Sequence, residues 1–422
     1  HHKRFRSLVN AKRIVVVGAG PAGIMAAIRA GELGQDVTLI EKNPLLGKKL
    51  LLSGKGRCNL TNASDLDSFL KRFSKNGKFL RDAFKHFFNH DLMHFFEKRG
   101  LKLKVERQLR VFPQTDRADS VLRVLEDELT KNKVRVICKA KMKDIIVAQD
   151  RVKGLILEGG RLIYAERLIL ATGGVSYGFT GSTGEGLELA KRLGHSIVPL
   201  RAGLVPLETR QKYPKELEGL VLKNIRVKFS DGQKEVVSEI GELLFTHSGI
   251  SGPLAFTLSG KITEWLGEGK GVWVEIDLKP ALSEEQLDLR LLREFKLQSK
   301  KSIKNTLKAL LPQRMINIFL GIADINPLRQ SGQVDREQRR KLISLLKHFR
   351  LNITKARPIE EAMVTRGGIS LKEINPRTME SRRIKGLYFC GEMIDIDADT
   401  GGFNLQAAFS TGYLAGESAA LS

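Results

Sequence analysis

Near the start of the chain, the spacing of apolar positions changes from that of a strand to that of a helix and back. Residues 13–17 read RIVVV, residues 24–33 carry an alanine-rich pattern with helical spacing, and residues 37–41 form a second apolar run. A strand, a helix and a strand in such close succession are typical of a βαβ unit, whose strands are parallel and whose crossover is right-handed. The pattern predicts an α/β fold around a parallel sheet.

Further along, strand-like and helix-like patterns come in blocks. Short apolar runs separated by turn residues predict strands within 134–171 and again within 225–278, whereas 65–109 and 283–355 have helical spacing. The first helical block is rich in aromatic residues, which we expect to lie in the core. They are Phe84, Phe87, Phe88, Phe95 and Phe96.

The two ends of the chain share the same mixture of strands and helices, so we expect them to form one α/β domain. The middle differs in pattern and is interpreted as an insertion with a β half and a helical half. The expected segments are the first part of the α/β domain at 1–195, a β-barrel-like subdomain at 196–281, a basic helical subdomain at 282–356, and the last part of the α/β domain at 357–422.

A glycine-rich turn links the first strand to the first helix. Gly18 permits the tight turn, Gly20 lets a pyrophosphate approach the backbone, and Gly23 allows the helix to pack closely on the strand. Glu41 ends the second strand at about the spacing expected for an acid that binds a ribose. This fingerprint, Gly18-Ala19-Gly20-Pro21-Ala22-Gly23, predicts a dinucleotide site that uses Gly18, Gly20, Pro21, Ala22, Gly23 and Glu41.

Two later strand ends favour FAD over a nicotinamide dinucleotide. The buried run at 167–170 leads into Ala171-Thr172-Gly173-Gly174, and the run at 387–390 leads into Gly391-Glu392. Both resemble accessory FAD motifs of the glutathione-reductase-like superfamily, and the resemblance implies a Rossmann FAD domain of that type. It also implies that Ala171, Thr172, Gly173 and Gly391 line the cofactor, and that Glu392 binds the ribityl chain.

A last glycine pair, Gly401-Gly402, precedes a helix of small residues. Its first turn, Phe403-Asn404-Leu405, is expected to face the pyrimidine ring of the flavin together with Gly402. The amides and partial positive charge of a helix N-terminus would stabilise the negative charge of reduced flavin near N1 and O2.

A polar loop, SGKGRCNLTN at 53–62, completes a set of motifs. With GSTGEG at 181–186, FTHSGISGP at 245–253 and the segment 391–412, it resembles the BaiN/RdsA-type family of bacterial FAD-dependent oxidoreductases over essentially the whole chain. The resemblance implies further cofactor contacts from Lys42, Lys48, Gly56, Arg57, Cys58, Asn59 and Met142. Members of that family include NAD(P)H-linked reductases of steroid-like ketones or enones, amine oxidases and ribosomal RNA dihydrouridine synthases.

Two titratable residues are candidate proton donors. Cys58 lies in a loop beside Arg57, where a cation can lower the pKa of a thiol, and His247 lies in a glycine-flanked loop of the insertion. Structural roles for both remain open. Cys138 and Cys390 lie in strand-like runs and are expected to be packing residues. We expect no metal, since no cluster of His, Cys or carboxylate residues has ligand spacing.

The charge of the chain indicates either an anionic partner or only the solubility of a protein from a basic proteome. It has 71 Lys and Arg against 47 Asp and Glu, a formal charge of +24. Such a charge favours nucleic acid, an anionic membrane surface or a nucleotide substrate. Residues 282–357 hold 17 of these cations against 7 acids, so we expect phosphates to bind there. Three cysteines indicate no disulfide framework and favour the cytoplasm, and no apolar run is long enough to span a membrane.

These observations predict an FAD-dependent oxidoreductase. The expected reaction is reduction of a uridine to dihydrouridine in large-subunit (23S) ribosomal RNA, with NAD(P)H as reductant. The alternatives are a flavin-dependent reductase or oxidase of a small molecule, such as an enone, ketone or amine, and a flavin-bound RNA-binding protein without turnover. Because the sequence has one dinucleotide fingerprint, NAD(P)H is expected to visit the flavin transiently, before the substrate, with ping-pong kinetics. The oligomeric state is left open.

Overall fold

The computed structural model describes residues 11–176 and 178–422, which form two compact units. Unit 1 contains the chain up to Gly203 together with Ala362–Ser422, and unit 2 is Leu204–Glu361. The expected boundaries at 195/196 and 356/357 therefore differ from those of the structure. The first boundary lies further along the chain, at 203/204, because the strand that begins at Ile197 pairs with Val364–Ile369 inside unit 1.

The described part of the chain contains twenty strands and fourteen α-helices. The strands are β1 (Arg13–Val17), β2 (Asp36–Ile40), β3 (Thr61–Asn62), β4 (Leu103–Val105), β5 (Arg110–Pro113), β6 (Arg135–Ile137), β7 (Met142–Ala148), β8 (Arg151–Leu157), β9 (Leu162–Tyr164), β10 (Arg167–Leu170), β11 (Ile197–Gly203), β12 (Leu207–Thr209), β13 (Val221–Ser230), β14 (Glu235–Val237), β15 (Gly241–Phe245), β16 (Gly249–Ser251), β17 (Val272–Asp277), β18 (Phe349–Ala356), β19 (Val364–Ile369) and β20 (Leu387–Phe389).

The helices are α1 (Pro21–Glu32), α2 (Lys48–Leu52), α3 (Leu66–Leu70), α4 (Arg81–His86), α5 (Asn89–Glu97), α6 (Ala118–Lys131), α7 (Glu185–Arg192), α8 (Tyr213–Glu216), α9 (Pro253–Gly267), α10 (Glu284–Leu297), α11 (Ile303–Thr306), α12 (Gln313–Ile322), α13 (Arg336–Lys347) and α14 (Phe403–Leu421). Within the described ranges, no helix combines the length and the apolar character that a membrane crossing requires.

Unit 1 is built on a five-stranded parallel sheet with the order β20–β10–β1–β2–β6. Strand β1 lies in the middle and pairs in parallel with β10 and β2. Its residues Ile14, Val15 and Val16 are almost completely buried, as expected for a central strand covered on both faces. The βαβ unit predicted from the first apolar runs is confirmed as β1, α1 and β2.

The last helix of the chain packs directly on the first. A Cβ atom on Gly412 would lie 2.1 Å from the carbonyl oxygen of Ala22, and one on Gly416 would lie 2.3 Å from that of Ala26. The two backbones are therefore in contact over one helical turn of each. Since both contacts advance by four residues, α1 and α14 run in the same direction there.

The phenylalanine-rich block at 65–109 contributes to the core of unit 1. Phe84, Phe87, Phe95 and Phe96 are buried, as predicted, and Phe88 is partly buried. The block forms three short helices and the strand β4 rather than continuous helix. Two antiparallel three-stranded sheets, β3–β5–β4 and β7–β8–β9, complete the strand structure around the parallel sheet together with the pair β11–β19.

In unit 2, six strands pair in a ring, β13–β15–β16–β12–β18–β17, which the pairing of β17 with β13 closes. The two expected halves, 196–281 and 282–356, each contain both strands and helices. Strand β18 lies in the supposed helical segment and α9 lies in the supposed β segment. One core holds residues of both, including Phe229 and Leu346. Phe349, Leu351 and Ile353 alternate with less buried residues along β18. This alternation is the sequence signal for the strand, and it was missed because it directly follows the helical pattern of α13.

The contact between α1 and α14 predicts the outcome of a conservative substitution. Gly412→Ala places a methyl group against the Ala22 carbonyl, and we expect it to destabilise the fold by about 1–3 kcal/mol. Gly321→Ala is the matched control, because Gly321 lies in an exposed part of α12 with nothing within 4 Å of the added Cβ. It should be neutral or stabilising by up to about 1 kcal/mol. Thermal unfolding distinguishes the two, and equal melting temperatures would contradict the close contact.

Candidate cofactor site

Four strand ends meet at one edge of the parallel sheet. Gly18 follows β1, Glu41 follows β2 and Ala171 follows β10. Backbone hydrogen bonds continue the sheet beyond these ends, from Gly18 to Ile40 (2.8 Å) and from Ala171 to Val17 (2.8 Å). Beyond β20, the Cys390 amide donates to Leu170 (3.1 Å), so that Gly391 lies at the same edge. The carboxyl edge of a parallel sheet is where α/β proteins bind ligands.

The three glycines of the fingerprint have different surroundings. A Cβ on Gly18, whose φ is +101°, would lie 2.3 Å from the Ala171 carbonyl oxygen, and one on Gly23 would lie 1.8 Å from the Gly18 carbonyl oxygen. A Cβ on Gly20 would meet nothing within 4 Å, and φ there is an ordinary −85°. The protein's own packing therefore requires Gly18 and Gly23 but leaves open space at Gly20.

Open space at Gly20 lies where helix α1 begins. Pro21 has no amide, and the amides of Ala22 and Gly23 belong to the first turn, where no preceding carbonyl of the helix can accept them. A pyrophosphate in this space would meet those amides and the positive end of the helix dipole. A glycine without a packing reason, next to free amides, fits a dinucleotide.

Glu41 organises the turn around this space. Its carboxylate is buried and accepts hydrogen bonds from the Ala19 amide and from the Asn43 amide and side chain, each at 2.8 Å. The neighbouring Lys42 donates to Thr183 (2.7 Å). Carboxylate oxygens have spare lone pairs, so these bonds leave Glu41 able to accept from a ribose hydroxyl.

The carboxylate of Glu392 is the centre of a polar cluster that the sequence did not reveal. It pairs with Lys49 and accepts from the Ser176 hydroxyl (2.9 Å) and the Thr365 amide (2.7 Å). Gly174 makes this approach possible, because a Cβ there would lie 2.3 Å from the Thr365 hydroxyl. The segment VTRGG at 364–368, with two glycines at positive φ, was the available signal.

Loop 53–62 packs against the start of α14. A Cβ on Gly402 would lie 2.3 Å from the carbonyl oxygen of Thr61, so the two backbones touch. With the oxygen and nitrogen of its side-chain amide exchanged, Asn59 accepts a hydrogen bond from the Gly402 backbone amide (3.1 Å) and donates one to the Thr61 carbonyl oxygen (3.1 Å). Thr61 also donates to Gln406 in the first turn of α14 (2.6 Å). These contacts hold the loop and the helix start as one surface.

The start of α14 presents unpaired amides. Phe403, Asn404 and Leu405 form its first turn, where helix geometry leaves the backbone amides without carbonyl partners. The Asn404 side chain is occupied elsewhere and clamps both the amide and the carbonyl of Ala398 (2.9 and 2.8 Å). The Phe403 ring is buried against Phe69. Backbone amides, rather than side chains, are what this end of α14 offers.

The two helix starts are related by the contact between α1 and α14. Because Gly412 lies against Ala22 and the helices run in the same direction, the start of α14 projects beyond that of α1 by eight residues, or about 12 Å. An extended dinucleotide that is bound through its pyrophosphate at α1 would reach the second set of amides at α14. The residues present therefore fit FAD.

The remaining predicted contacts lie around this frame. Arg57 is held by Glu106 and Asp116 and stacks over Phe112 at 4.1 Å, and the bond to Glu106 raises the pKa of its guanidinium. Thr172 lies under Gly186, whose added Cβ would be 2.0 Å from its hydroxyl. Four other predicted contacts complete the set. Lys48 is the first residue of α2, and Gly56 lies in the turn before Arg57. Gly173 follows β10, and Met142 begins β7.

Cys58 differs from the expectation of a reactive thiol. It has no exposed surface, and burial raises its pKa to about 12 although Ser53 hydrogen-bonds the thiol. The prediction of a lowered pKa is wrong, because Arg57 is occupied by two carboxylates and the thiol points into the core. The backbone at Cys58 is left-handed, with φ at +61°, as it is at Lys55 and Gly54. A non-glycine residue in that conformation is strained, and such strain is concentrated at binding sites.

His247 belongs to unit 2. It is exposed, and its Nδ1 lies 3.1 Å from Glu218. A carboxylate partner orients an imidazole ring. Among the described residues, no group of three or more His, Cys, Asp or Glu side chains could hold a metal ion.

Comparison with known proteins identifies the family. The model of the family described as HI0933-like protein Rossmann domain matches residues 12–418. The chain belongs to this family. A 3-dehydro-bile acid delta(4,6)-reductase of Clostridium scindens is 33% identical over 97% of this chain and 99% of that one. A ribosomal RNA dihydrouridine synthase of Escherichia coli is 31% identical over 94% and 96%. The resemblance to the BaiN/RdsA-type flavoproteins is thereby confirmed.

Solved structures support the fold of this HI0933-like chain. A 3-ketosteroid delta1-dehydrogenase from Sterolibacterium denitrificans, solved with 1,4-androstadiene-3,17-dione, has a TM-score of 0.54 and 14% identity and covers 97% of this chain and 99% of that one. A 3-ketosteroid-delta4-(5alpha)-dehydrogenase from Rhodococcus jostii has a TM-score of 0.50, 16% identity and 97% coverage of both chains. At such identities the likeness concerns the fold alone.

The open space at Gly20 predicts a separation of folding from cofactor binding. Asparagine is a favourable residue at a helix N-cap, so Gly20→Asn should leave the melting temperature of the cofactor-free protein within about 2 °C of wild type. Its side chain would fill the pyrophosphate space, and the purified protein should lose its flavin absorbance. Gly18→Ala is the contrasting variant, since strain and the Ala171 carbonyl should lower the melting temperature itself. Retention of flavin by Gly20→Asn would contradict the assignment.

The burial of Cys58 predicts its reactivity. In the folded protein at pH 8, iodoacetamide should label Cys138, which is partly exposed, and spare Cys58 and Cys390. All three should react after unfolding in guanidinium. Peptide mass spectrometry of the labelled protein measures this, and rapid labelling of native Cys58 would restore the hypothesis of an accessible thiol.

Proposed function

We propose that this protein is an FAD-dependent reductase that converts a uridine of large-subunit (23S) ribosomal RNA to dihydrouridine, with NAD(P)H as the source of electrons. The observation that carries the cofactor part is the space at Gly20 beside the amides of α1, with the start of α14 about 12 Å further along. Bound FAD would supply a hydride to one carbon of the C5=C6 bond, while a proton reaches the other.

In this proposal, the chain's own residues bind the FAD and stabilise charge on its flavin ring. The amides of Ala22 and Gly23 hold the pyrophosphate, and Glu41 accepts from the adenosine ribose. Glu392, kept in place by Lys49 and Ser176, would accept a hydrogen bond from the ribityl chain. The amides at the start of α14 stabilise negative charge on the pyrimidine side of the ring. Loop 53–62 packs on that helix and excludes water from this end of the cofactor site.

Charge favours RNA over a small molecule. The cation excess extends over both units, with 44 Lys and Arg against 27 Asp and Glu in unit 1 and 27 against 20 in unit 2. A small neutral substrate gives no reason for so many uncompensated cations, whereas phosphates bind them and make the affinity depend on salt. The name of the relative from Escherichia coli agrees with this choice.

The helical part of the insertion is not the main source of this excess. Several of its cations are held internally: Arg339 pairs with Asp288, Lys347 pairs with Asp277, and Arg350 stacks over Trp273 at 4.1 Å. The expectation that phosphates bind chiefly at 282–357 is therefore replaced by a proposal in which unit 1 contributes the larger share.

The second candidate is a reductase of a small enone or ketone. It is favoured by the bile acid reductase from Clostridium scindens, which has the higher identity of the two relatives. In both candidates NAD(P)H meets the flavin transiently, because the fingerprint at Gly18–Gly23 is the one dinucleotide motif of the sequence. Initial-rate measurements should then give parallel double-reciprocal lines, as in ping-pong kinetics.

The RNA proposal predicts the modification state of the host's ribosomes. Deletion of the gene should remove dihydrouridine from one position of 23S ribosomal RNA, which mass spectrometry of nuclease digests detects. Wild type and Gly321→Ala should restore it, and Gly20→Asn should not, because it would lack cofactor. Unchanged dihydrouridine in the deletion strain, together with enone-dependent oxidation of NAD(P)H by the purified protein, would instead establish the second candidate.

A further inference from the structure

A shallow basic cleft lies at the amino edge of the parallel sheet, on the side opposite the cofactor site. It has a volume of about 530 Å³. Strands β1 and β10 begin here, and β8 and β9 form its other wall. The lining residues are Arg13, Arg151, Val152, Lys153, Tyr164, Ala165, Glu166 and Arg167.

Three of the four cations of this cleft are not neutralised by the protein, whereas Arg167 donates to the hydroxyl (2.9 Å) and the carbonyl oxygen (3.0 Å) of Ser422. Arg13, Arg151 and Lys153 are exposed, and within the described ranges none of them forms an ion pair with a carboxylate. Glu166 is the single acid of the lining, and its Oε2 is engaged by the backbone amide of Arg13 (2.9 Å). Four cations against one acid leave a concentrated positive potential.

Further cations surround the cleft. The backbone carbonyl of Lys385 accepts from the Val152 amide (3.0 Å), which brings an exposed lysine beside β8. Burial, followed by repulsion from the Arg167 guanidinium, lowers the pKa of Lys12. The chain thus assembles like charges here from four distant segments, at a cost that an anionic ligand would relieve.

Tyr164 adds an unpartnered aromatic ring to these charges. Its side chain is 63% exposed, and it packs against no other ring or guanidinium in the described part of the chain. The residue opposite it on β8 is Gly154, so no side chain covers the ring across the strand pair. An exposed tyrosine among cations is the arrangement on which nucleic-acid bases stack while phosphates are held beside them.

We infer that this cleft, formed by Arg13, Arg151, Lys153, Tyr164 and Arg167, is a docking site for a single-stranded segment of the RNA substrate. Its cations hold consecutive phosphates, and the ring of Tyr164 stacks on one base. The inference rests on the proposed function for the identity of the RNA. The cleft and the cofactor site lie at opposite ends of the strands of the parallel sheet. A five-residue strand spans about 17 Å, so the two sites are at least about that far apart. A folded ribosomal RNA can cover both, and a small substrate cannot.

The test is the affinity of the purified holoprotein for a fluorescein-labelled oligouridylate of about 12 nucleotides. We expect Arg151→Glu/Lys153→Glu to raise Kd at least about 10-fold and to reduce the salt slope of log K by at least about 1.4, since two phosphate contacts are lost. Tyr164→Ala should raise Kd about 5-fold or more through lost stacking, whereas Tyr164→Phe should stay within about 2-fold of wild type.

The matched control is Lys223→Glu/Lys261→Glu, which changes the net charge equally at exposed lysines of unit 2. It should change Kd by less than about 3-fold, because neither lysine lines the cleft. Flavin reduction by NAD(P)H should be unaffected in every variant. Equal weakening by both double variants would overturn the inference. So would loss of binding to anionic phospholipid vesicles in Arg151→Glu/Lys153→Glu with unchanged RNA binding.

This measurement does not depend on the reduction of uridine. If the gene deletion leaves dihydrouridine unchanged but the cleft variants lose RNA binding, the docking site stands and the proposed reaction fails. If dihydrouridine is lost on deletion but the cleft variants bind RNA like wild type, the reaction stands and the docking site fails.

Discussion

The backbone contact between the first and last helices is the constraint on which the cofactor site depends. Gly412 and Gly416 let α14 lie on α1 without intervening side chains, against Ala22 and Ala26. A larger residue at either glycine would move α14 away from the sheet. The offset of the two helices then sets the distance between their free amides, and so the length of ligand that can bridge them. An α-helix is stiff, so one tight contact determines both ends.

Around these two helix ends, the site consists mostly of backbone. Gly18, Gly23 and Gly402 allow main-chain segments to touch, and the charged side chains Glu41 and Glu392 are engaged by neighbours of the same edge. Loop 53–62 carries the strain of left-handed residues at Lys55 and Cys58. Packing against α14 offsets that strain. A site preorganised in this way needs little rearrangement to receive a dinucleotide, which lowers the entropic cost of binding.

The excess of positive charge is distributed unevenly over the fold. Local composition pointed to the helical insertion, yet ion pairs and stacking occupy many of its cations, and unit 1 has the larger excess. At the amino edge of the sheet, Arg13 and Arg167 are brought together because β1 and β10 are adjacent and parallel. The parallel sheet has two different edges in this chain: the carboxyl edge fits the cofactor, and the amino edge carries the basic cleft.

The sequence by itself determined the βαβ unit, the parallel sheet, the family and the glycine roles at 18–23, because these depend on local periodicity and on backbone conformations that few residues adopt. It misjudged the position of β18 and the pKa of Cys58, and it missed the partners of Glu392 and the surroundings of Tyr164. Those properties depend on burial and on neighbours from distant segments. Such neighbours exist only once the chain has packed, and the tertiary structure alone decided them.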